Sequence, residues 1–352
     1  MSEGLWRASY SPHPQFKHIP ITSAYLVLTD KRIGFGFHPT PAISCWPNVI
    51  VVCGEALIDM ISRDGTQQAT PGGGPFNTAR ALARLGVPTA FLGRLSDDVF
   101  GRRLAGLLVS DGASLELASI GSDPTTIAMA DIDNEGFAEY QFLVQGTSAP
   151  NLTPDMVPEQ FGPQVSAIHA GTLGLVLEPM ASTLVDLIRR EHGRRLVMLD
   201  PNIRVGLVPD SEYREHLRVA ISESTIVKAS VADLAWLYPG IGYEEAAERI
   251  LGEGVCLAVV TLGADGAFGA HRDARIHIGA PHVEVVDTIG AGDAFGAGLL
   301  AWLHDHDAIR PDLSLEPDEL REALAFACLA GALTCTRAGA EPPWKSEMQA
   351  EL

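Results

Sequence analysis

The chain has 352 residues, 46% of them hydrophobic and 20% charged, with 35 glycines and a formal net charge of −19. That length fits one large α/β domain with a small appendage, and the acidity argues against nucleic acid or an anionic membrane surface as a partner. No apolar run is long enough to span a membrane, no basic-then-apolar secretory signal opens the chain, and the five cysteines (Cys45, Cys53, Cys256, Cys328, Cys335) lack CxxC spacing. They read as buried free thiols of a reducing compartment, so a cytoplasmic protein is expected.

Residues 1–47 stand apart, with six prolines, three of the eleven histidines and no sustained periodicity. Tyr25–Thr29 and Arg32–Phe37 could pair as a short hairpin, but the segment as a whole reads as a dispensable, weakly folding extension. The main domain is expected over 48–345. It opens at Val49-Ile50-Val51-Val52-Cys53, a continuous apolar run suited to a strand buried on both faces. Gly54 to Asp59 follows directly, then Pro71-Gly72-Gly73-Gly74 and a helix over about 75–85, stopped by Gly86 and Pro88. After a strand at 89–92, Asp97 and Asp98 open a helix ending near Asp111-Gly112.

From 114 to 145 the texture is strand-like. Runs at 126–132 and 137–143 flank the turn signal Asp133-Asn134-Glu135-Gly136. No long helix is at hand to cover this hairpin, so it should project as a β lid, a surface through which two copies could also pair as a homodimer. Strand and helix then alternate: strand 165–170, helix 179–192, strand 195–199, helix 210–222, strand 225–228, helices 231–237 and 243–251, and strand 256–261. A hairpin over 267–278, a strand at 282–286 and two helices, 294–303 and 317–338, complete the chain. Repeated βα units imply a mostly parallel sheet covered on both faces, with ligands at the carboxyl ends of its strands.

The most informative stretch lies between the last expected strand and the helix at 294. Gly290, Ala291 and Gly292 form a small-residue turn, and Asp293 stands at the helix start. First-turn N–H groups there lack intrahelical partners and make an anion hole. Phe295 stands where a dinucleotide fingerprint needs glycine, and no Gly-Lys-Ser/Thr follows, so neither common nucleotide signature applies. A phosphate hole with a carboxylate at its mouth points to phosphoryl transfer onto a hydroxyl, with Asp293 accepting the proton. The competing reading is that Asp293 only caps the helix. Asp59 carries a short carboxylate suited to vicinal hydroxyls, Gly72, Gly73 and Gly74 let a ligand approach the backbone, and Asn77 offers an amide. These too could be merely a turn and a cap.

DTIGAGDAF resembles the signature of the ribokinase-like (pfkB-type) carbohydrate kinases, and GEALIDM with PGGGPFNTARALARLG resembles the sugar-binding segments of bacterial fructokinases. GRLSDDVFG is similar to the family's GxxGDDxFG, and Asp200-Pro201-Asn202-Ile203-Arg204 to the fructokinase DPN(I/L)R. The resemblance covers about 49–343. It implies a ribokinase-like three-layer αβα sandwich with a mostly parallel central sheet and a small β lid. It also implies an ATP-dependent sugar kinase in which Asp293 is the base and Gly290, Ala291 and Gly292 the anion hole. Asp59, Gly72, Gly73, Gly74, Asn77 and Arg204 would hold the sugar, and Lys228, Ser230, Thr261, Gly263, Gly266 and Gly292 the nucleotide.

In the family an N-x-x-E carboxylate reaches Mg²⁺ through water. Here that place reads Ser230-x-x-Asp233, which carries the expectation to Asp233 with a shorter arm. A potassium ion is expected beside Asp287 and Ile289. Relatives acting on sugar acids end a lid strand with Tyr-Arg, whereas this chain has Phe142-Leu143-Val144-Gln145. A neutral hexose, fructose, is therefore expected over 2-keto-3-deoxygluconate. Ribokinase and nucleoside kinase activities are the enzymatic alternatives, and a catalytically silent sugar- or nucleotide-binding regulator is the non-enzymatic one.

Overall fold

The computed structural model describes residues 42–63, 66–132, 138–272 and 274–351. Its strands are β1 (Val49–Cys53), β2 (Leu57–Arg63), β3 (Thr66–Gly72), β4 (Thr89–Leu92), β5 (Arg94–Ser96), β6 (Ser119–Gly121) and β7 (Ile127–Ile132). They continue as β8 (Ala138–Leu143), β9 (Val165–Gly171), β10 (Leu196–Asp200), β11 (Ile226–Ser230), β12 (Leu257–Thr261), β13 (Ala267–His271) and β14 (Ala274–Ile278). The helices are α1 (Gly74–Arg84), α2 (Val99–Asp111), α3 (Met180–Glu191), α4 (Asp210–Ser222), α5 (Val231–Leu237), α6 (Tyr243–Gly252), α7 (Ala291–Asp305), α8 (Pro317–Cys335) and α9 (Lys345–Glu351).

The main sheet runs β14-β13-β12-β11-β10-β9-β1-β4. It is parallel from β4 to β12 and closes with the antiparallel β13 and β14. The unbroken apolar run of β1 has the cause expected of it, because both faces are buried. Val49, Val51 and Cys53 enter one core with Leu184 and Ile188 of α3 and Leu217 of α4. Ile50 and Val52 enter the other, with Phe76 of α1, Leu104 of α2, Leu299 of α7 and Leu324 of α8. Helices thus cover both faces of one sheet, giving the expected αβα sandwich.

The lid is built differently from the sequence reading. Its sheet is ordered β3-β2-β7-β8, so half of it comes from residues 57–72, ahead of the first helix. The segment after β1, which carries Asp59 and for which the sequence predicts no strand, runs on as β2 and pairs with β3 and β7. Polar residues, glycine and proline across 62–73 hid β3 and the end of β2, and the strand that β2 joins, β7, lies far along the chain. Ser119–Gly121 pairs with β5 instead of joining the lid. The expected turn at 133–136 and the hairpin over 25–37 lie outside the described residues.

Three further expectations change. His282–Val286 is not a strand. Its β-branched residues favour extended backbone, but Val285 and Val286 are 60% and 61% exposed, and Val286 N–H bonds to the carbonyl of Cys335, the last residue of α8, instead of a sheet edge. The helix read to 338 stops at Cys335. Of the cysteines, all free, Cys53 and Cys328 are buried but Cys45 is exposed.

The packed core also begins upstream of the expected boundary at 48. Ile43 is 5% exposed and belongs to the core around β1, and its N–H donates to Glu116 Oε2 at 2.7 Å. A chain starting at Asn48 should therefore melt below one starting at Ala42, by about 1.5–3 kcal/mol for losing a buried isoleucine. Equal melting curves for the two would show that the Ile43 contact contributes nothing.

Candidate active site

Helix α7 starts at Ala291, with Gly290 as its N-cap in left-handed conformation at φ 77°. A side chain at 290 would be strained there and would press into Ala340. Asp293 is consequently the third residue inside the helix, makes no capping bond and is only 8% exposed. The capping explanation for this aspartate is thereby removed. Its Oδ2 accepts from Asn77 Nδ2 of α1 at 2.8 Å. Burial pushes the Asp293 carboxyl up to about 7, helped by the charge of Asp200 and opposed by the Asn77 hydrogen bond, Lys228 and Arg204.

Facing the same turn is a buried ion pair from the ends of β10 and β11. Lys228 Nζ donates to Asp200 Oδ2 at 2.7 Å. Burial works against the Lys228 charge, but the carboxylates of Asp200, Asp293 and Asp233 outweigh it and raise its pKa. A β-carbon at Gly292 would lie 3.1 Å from Lys228 Nζ. The ammonium therefore stands over the first turn of α7, adding a positive charge to its unpaired N–H groups.

The glycine triplet is needed first by the protein's own chain. Side chains at Gly72, Gly73 and Gly74 would overlap the Asp59 carboxylate, the Glu55 carbonyl and the Thr172 hydroxyl respectively, and one at Gly74 would also come within 3.4 Å of Asp293 Oδ1. Gly73 caps α1 at φ 106°. Asp59, half-buried on β2, is pushed up to about 6 by burial, with Arg204 opposing. Asn77 Oδ1 is buried and unpartnered, an acceptor left open beside the carboxylate that its own amide holds.

Glu55, which sequence reasoning quoted without assigning a role, is buried between two loops. It accepts from Gly74 N–H and Gly174 N–H, each at 3.2 Å, and burial raises its pKa to about 8. Thr172 and Asn202, non-glycine residues at φ 53° and 39°, sit past the ends of β9 and β10. Such strain concentrates at functional sites. Thr172 was signalled in the sequence only by its position just beyond an apolar run, whereas Asn202 also stood within the Asp200–Arg204 motif.

The nucleotide-side residues divide. Ser230 caps α5. Thr261 ends β12, and Gly263 and Gly266, at φ 63° and 94°, shape its tight connection to β13. Asp233, expected to reach a metal-bound water, has oxygens that accept from Ser230 N–H, Ser230 Oγ and Ile203 N–H at 2.8, 2.6 and 2.7 Å. Asp287 likewise spends its carboxylate on Ile289 N–H at 3.1 Å and Gly339 N–H at 2.8 Å. Among the described residues no group of three or more His, Cys, Asp or Glu side chains could hold a metal ion. The Arg204 guanidinium folds back onto the carbonyls of Asn202 and Ile203, each at 3.2 Å.

The pfkB family carbohydrate kinase profile matches residues 48–347. The chain belongs to the pfkB family of carbohydrate kinases. A fructokinase of Rhizobium leguminosarum bv. trifolii is 38% identical over 281 residues, 78% of this chain and 86% of the relative. A fructokinase from Xylella fastidiosa, solved with bound ATP, superposes with a TM-score of 0.80 at 26% identity, covering 86% of this chain and 97% of that one. An aminoimidazole riboside kinase from Salmonella enterica, complexed with aminoimidazole riboside and an ATP analogue, gives 0.75 at 26% identity over 86% and 99% of the two chains. A Vibrio cholerae fructokinase double mutant, in fructose-, ADP- and potassium-bound form, also gives 0.75 at 26% identity, over 86% and 97%.

Within this pfkB kinase Asp59 belongs to the lid, on a different element from the α7 turn and the Lys228 ammonium. Asp59→Ala should raise the sugar KM by the equivalent of about 2–3 kcal/mol, the loss of a charged acceptor, and leave the ATP KM close to the parent's. Steady-state kinetics with each substrate varied in turn checks this, and equal damage to both constants would refute the division of the site.

Proposed function

We propose that this carbohydrate kinase transfers the γ-phosphate of ATP to a primary hydroxyl of a neutral hexose, fructose. The observation that carries the reading is Asp293, a carboxylate buried in the first turn of α7 and held from α1 by Asn77. With one oxygen engaged by Asn77, the carboxylate keeps acceptor capacity for the proton of an attacking hydroxyl. Gly290, Ala291 and Gly292 leave backbone N–H groups toward the transferring group, and Lys228 supplies the positive charge. Phosphoryl transfer passes through a loose transition state, so positioning and neutralisation supply most of the rate and the base need not be strong.

Magnesium enters this scheme as the MgATP complex, the nucleotide substrate. The potassium expected beside Asp287 and Ile289 would rest on the loop that Asp287 shapes; the potassium-bound Vibrio cholerae relative supports it. Fructose is favoured by the fructokinase relatives and by the absence of a second cation at the end of β8. The riboside kinase neighbour sustains a nucleoside as the second reading, and turnover across a panel of fructose, ribose, tagatose and nucleosides separates them. A cytoplasmic enzyme fits its free thiols, and the open edges of β3 and β8 suit pairing of two lids in a homodimer.

Asp293→Asn keeps an amide oxygen for Asn77 and removes the proton acceptor. It should lower kcat by about 10²–10⁴-fold with melting and ATP binding retained. Turnover within a few-fold of the parent would rule out Asp293 as the base. The parent should also lose kcat/KM as the pH falls through about 7, because the acceptor is the carboxylate form and burial raises its pKa to that value. A profile that stays level there would remove Asp293 as the titrating group.

A further inference from the structure

Asp233 occupies the place of the family's magnesium-side carboxylate, yet its surroundings assign it different work. It is the third residue of α5 and completes a capping box with Ser230, whose hydroxyl accepts from Asp233 N–H at 3.1 Å. In return Asp233 Oδ2 accepts from Ser230 N–H and Ser230 Oγ. That leaves Oδ1, which accepts the Ile203 N–H at 2.7 Å from a connection thirty residues upstream. The residue is buried. Three short donors already engage the carboxylate, and little of it remains to face a hydrated cation.

The Ile203 amide lies immediately before Arg204. This loop needs external support, because Asn202 holds φ 39°, a conformation that persists in a non-glycine residue only where neighbours over-determine it. Within the loop, the Arg204 guanidinium returns to the Asn202 and Ile203 carbonyls, so the direction of the side chain follows the path of the backbone. A hydrogen bond to a buried carboxylate is among the stronger supports available. Its anchor is the start of α5, which itself follows β11 and the Lys228 ammonium. One carboxylate thus joins the nucleotide-side helix start to the cationic loop on the sugar side. The departure from the family's longer residue fits this role. A glutamate would still close the capping box, but one methylene longer it would have to displace the Ile203 amide to keep both contacts.

We propose that Asp233 is a positioning residue for Arg204 and hence for sugar binding, and not a magnesium-side group. The inference rests on the kinase reading above. The test uses the full chain and three variants, Asp233→Ala, Arg204→Ala and the double substitution, with sugar KM, kcat and the Mg²⁺ activation constant measured for each. Asp233→Ala should raise the sugar KM about tenfold or more, the order expected for removing a charged hydrogen-bond partner. The Mg²⁺ activation constant should stay at the parent value. In the Arg204→Ala background the same change should add little, because the two residues act through one loop.

A raised Mg²⁺ constant overturns the proposal, as does an unmoved sugar KM or a full additive effect in the double variant. Hydrogen exchange at residues 201–205 provides the readout that needs no turnover. Faster exchange in Asp233→Ala, or in the milder Asp233→Asn if the alanine variant does not fold, supports the positioning role, and unchanged exchange refutes it. Parent protein that phosphorylates no sugar while Asp233→Ala still loosens 201–205 would sink the kinase reading alone.

Discussion

A carboxylate is held inside the protein at Asp293, and the arrangement around it exists to keep that charge tolerable and available. Burial alone favours the neutral acid. Against it stand the Asn77 amide, the Lys228 ammonium and the Arg204 guanidinium, while Asp200 pushes the other way. These groups come from α1, β11 and the end of β10, so the charge state of one aspartate in α7 depends on the mutual placement of α1, α7, β10 and β11. The result is a carboxyl whose proton affinity is raised toward neutrality, the range in which a group can both release and accept a proton.

The scaffold that fixes this placement is itself electrostatic at its edges and apolar in the middle. Arg80 of α1 is buried and reaches Asp111 at 2.6 Å, the Ala340 carbonyl at 3.2 Å and Glu341 at 3.2 Å. Arg84, one turn on, holds Asp111 and Glu341 as well. The helix that presents Asn77 is thereby tied to the segment at 339–341. The same segment bounds the turn before α7, since Gly339 N–H binds Asp287 and Ala340 occupies the space a side chain at Gly290 would need. Removing one member of a buried pair of this kind costs about 3–5 kcal/mol, so this grip contributes to stability as well as to geometry.

A second buried carboxyl organises the opposite side. Glu55 bridges the amides of Gly74 and Gly174, joining the start of α1 to the connection after β9. Its raised proton affinity follows from burial, and the bridge it makes explains why glycine stands at 74, where the Thr172 hydroxyl fills the space a side chain would take. The triplet that looked like room for a ligand is first of all a consequence of how tightly β1, α1 and the β9 connection converge.

Elements whose cause is local were legible in the chain. The helices at 210–222 and 231–237 and the strand at 89–92 fall where their periodicity and flanking residues put them, because amphipathic spacing and capping act within a few residues. The small-residue turn before Asp293 was legible for the same reason. What required the folded protein was every feature whose partner is remote. The lid strands at 57–72 exist because β7 pairs with β2, and residues 282–286 join no strand, Val286 bonding instead to the last residue of α8. Asp293 acquires its environment from Asn77, 216 residues away, and Asp233 acquires its partner from Ile203. Composition and local pattern determined which segments could be helix, strand or anion hole. Only tertiary packing decided which carboxylates are spent on the chain's own amides and which remain open for chemistry, because desolvation and hydrogen bonding depend on neighbours in space, not in sequence.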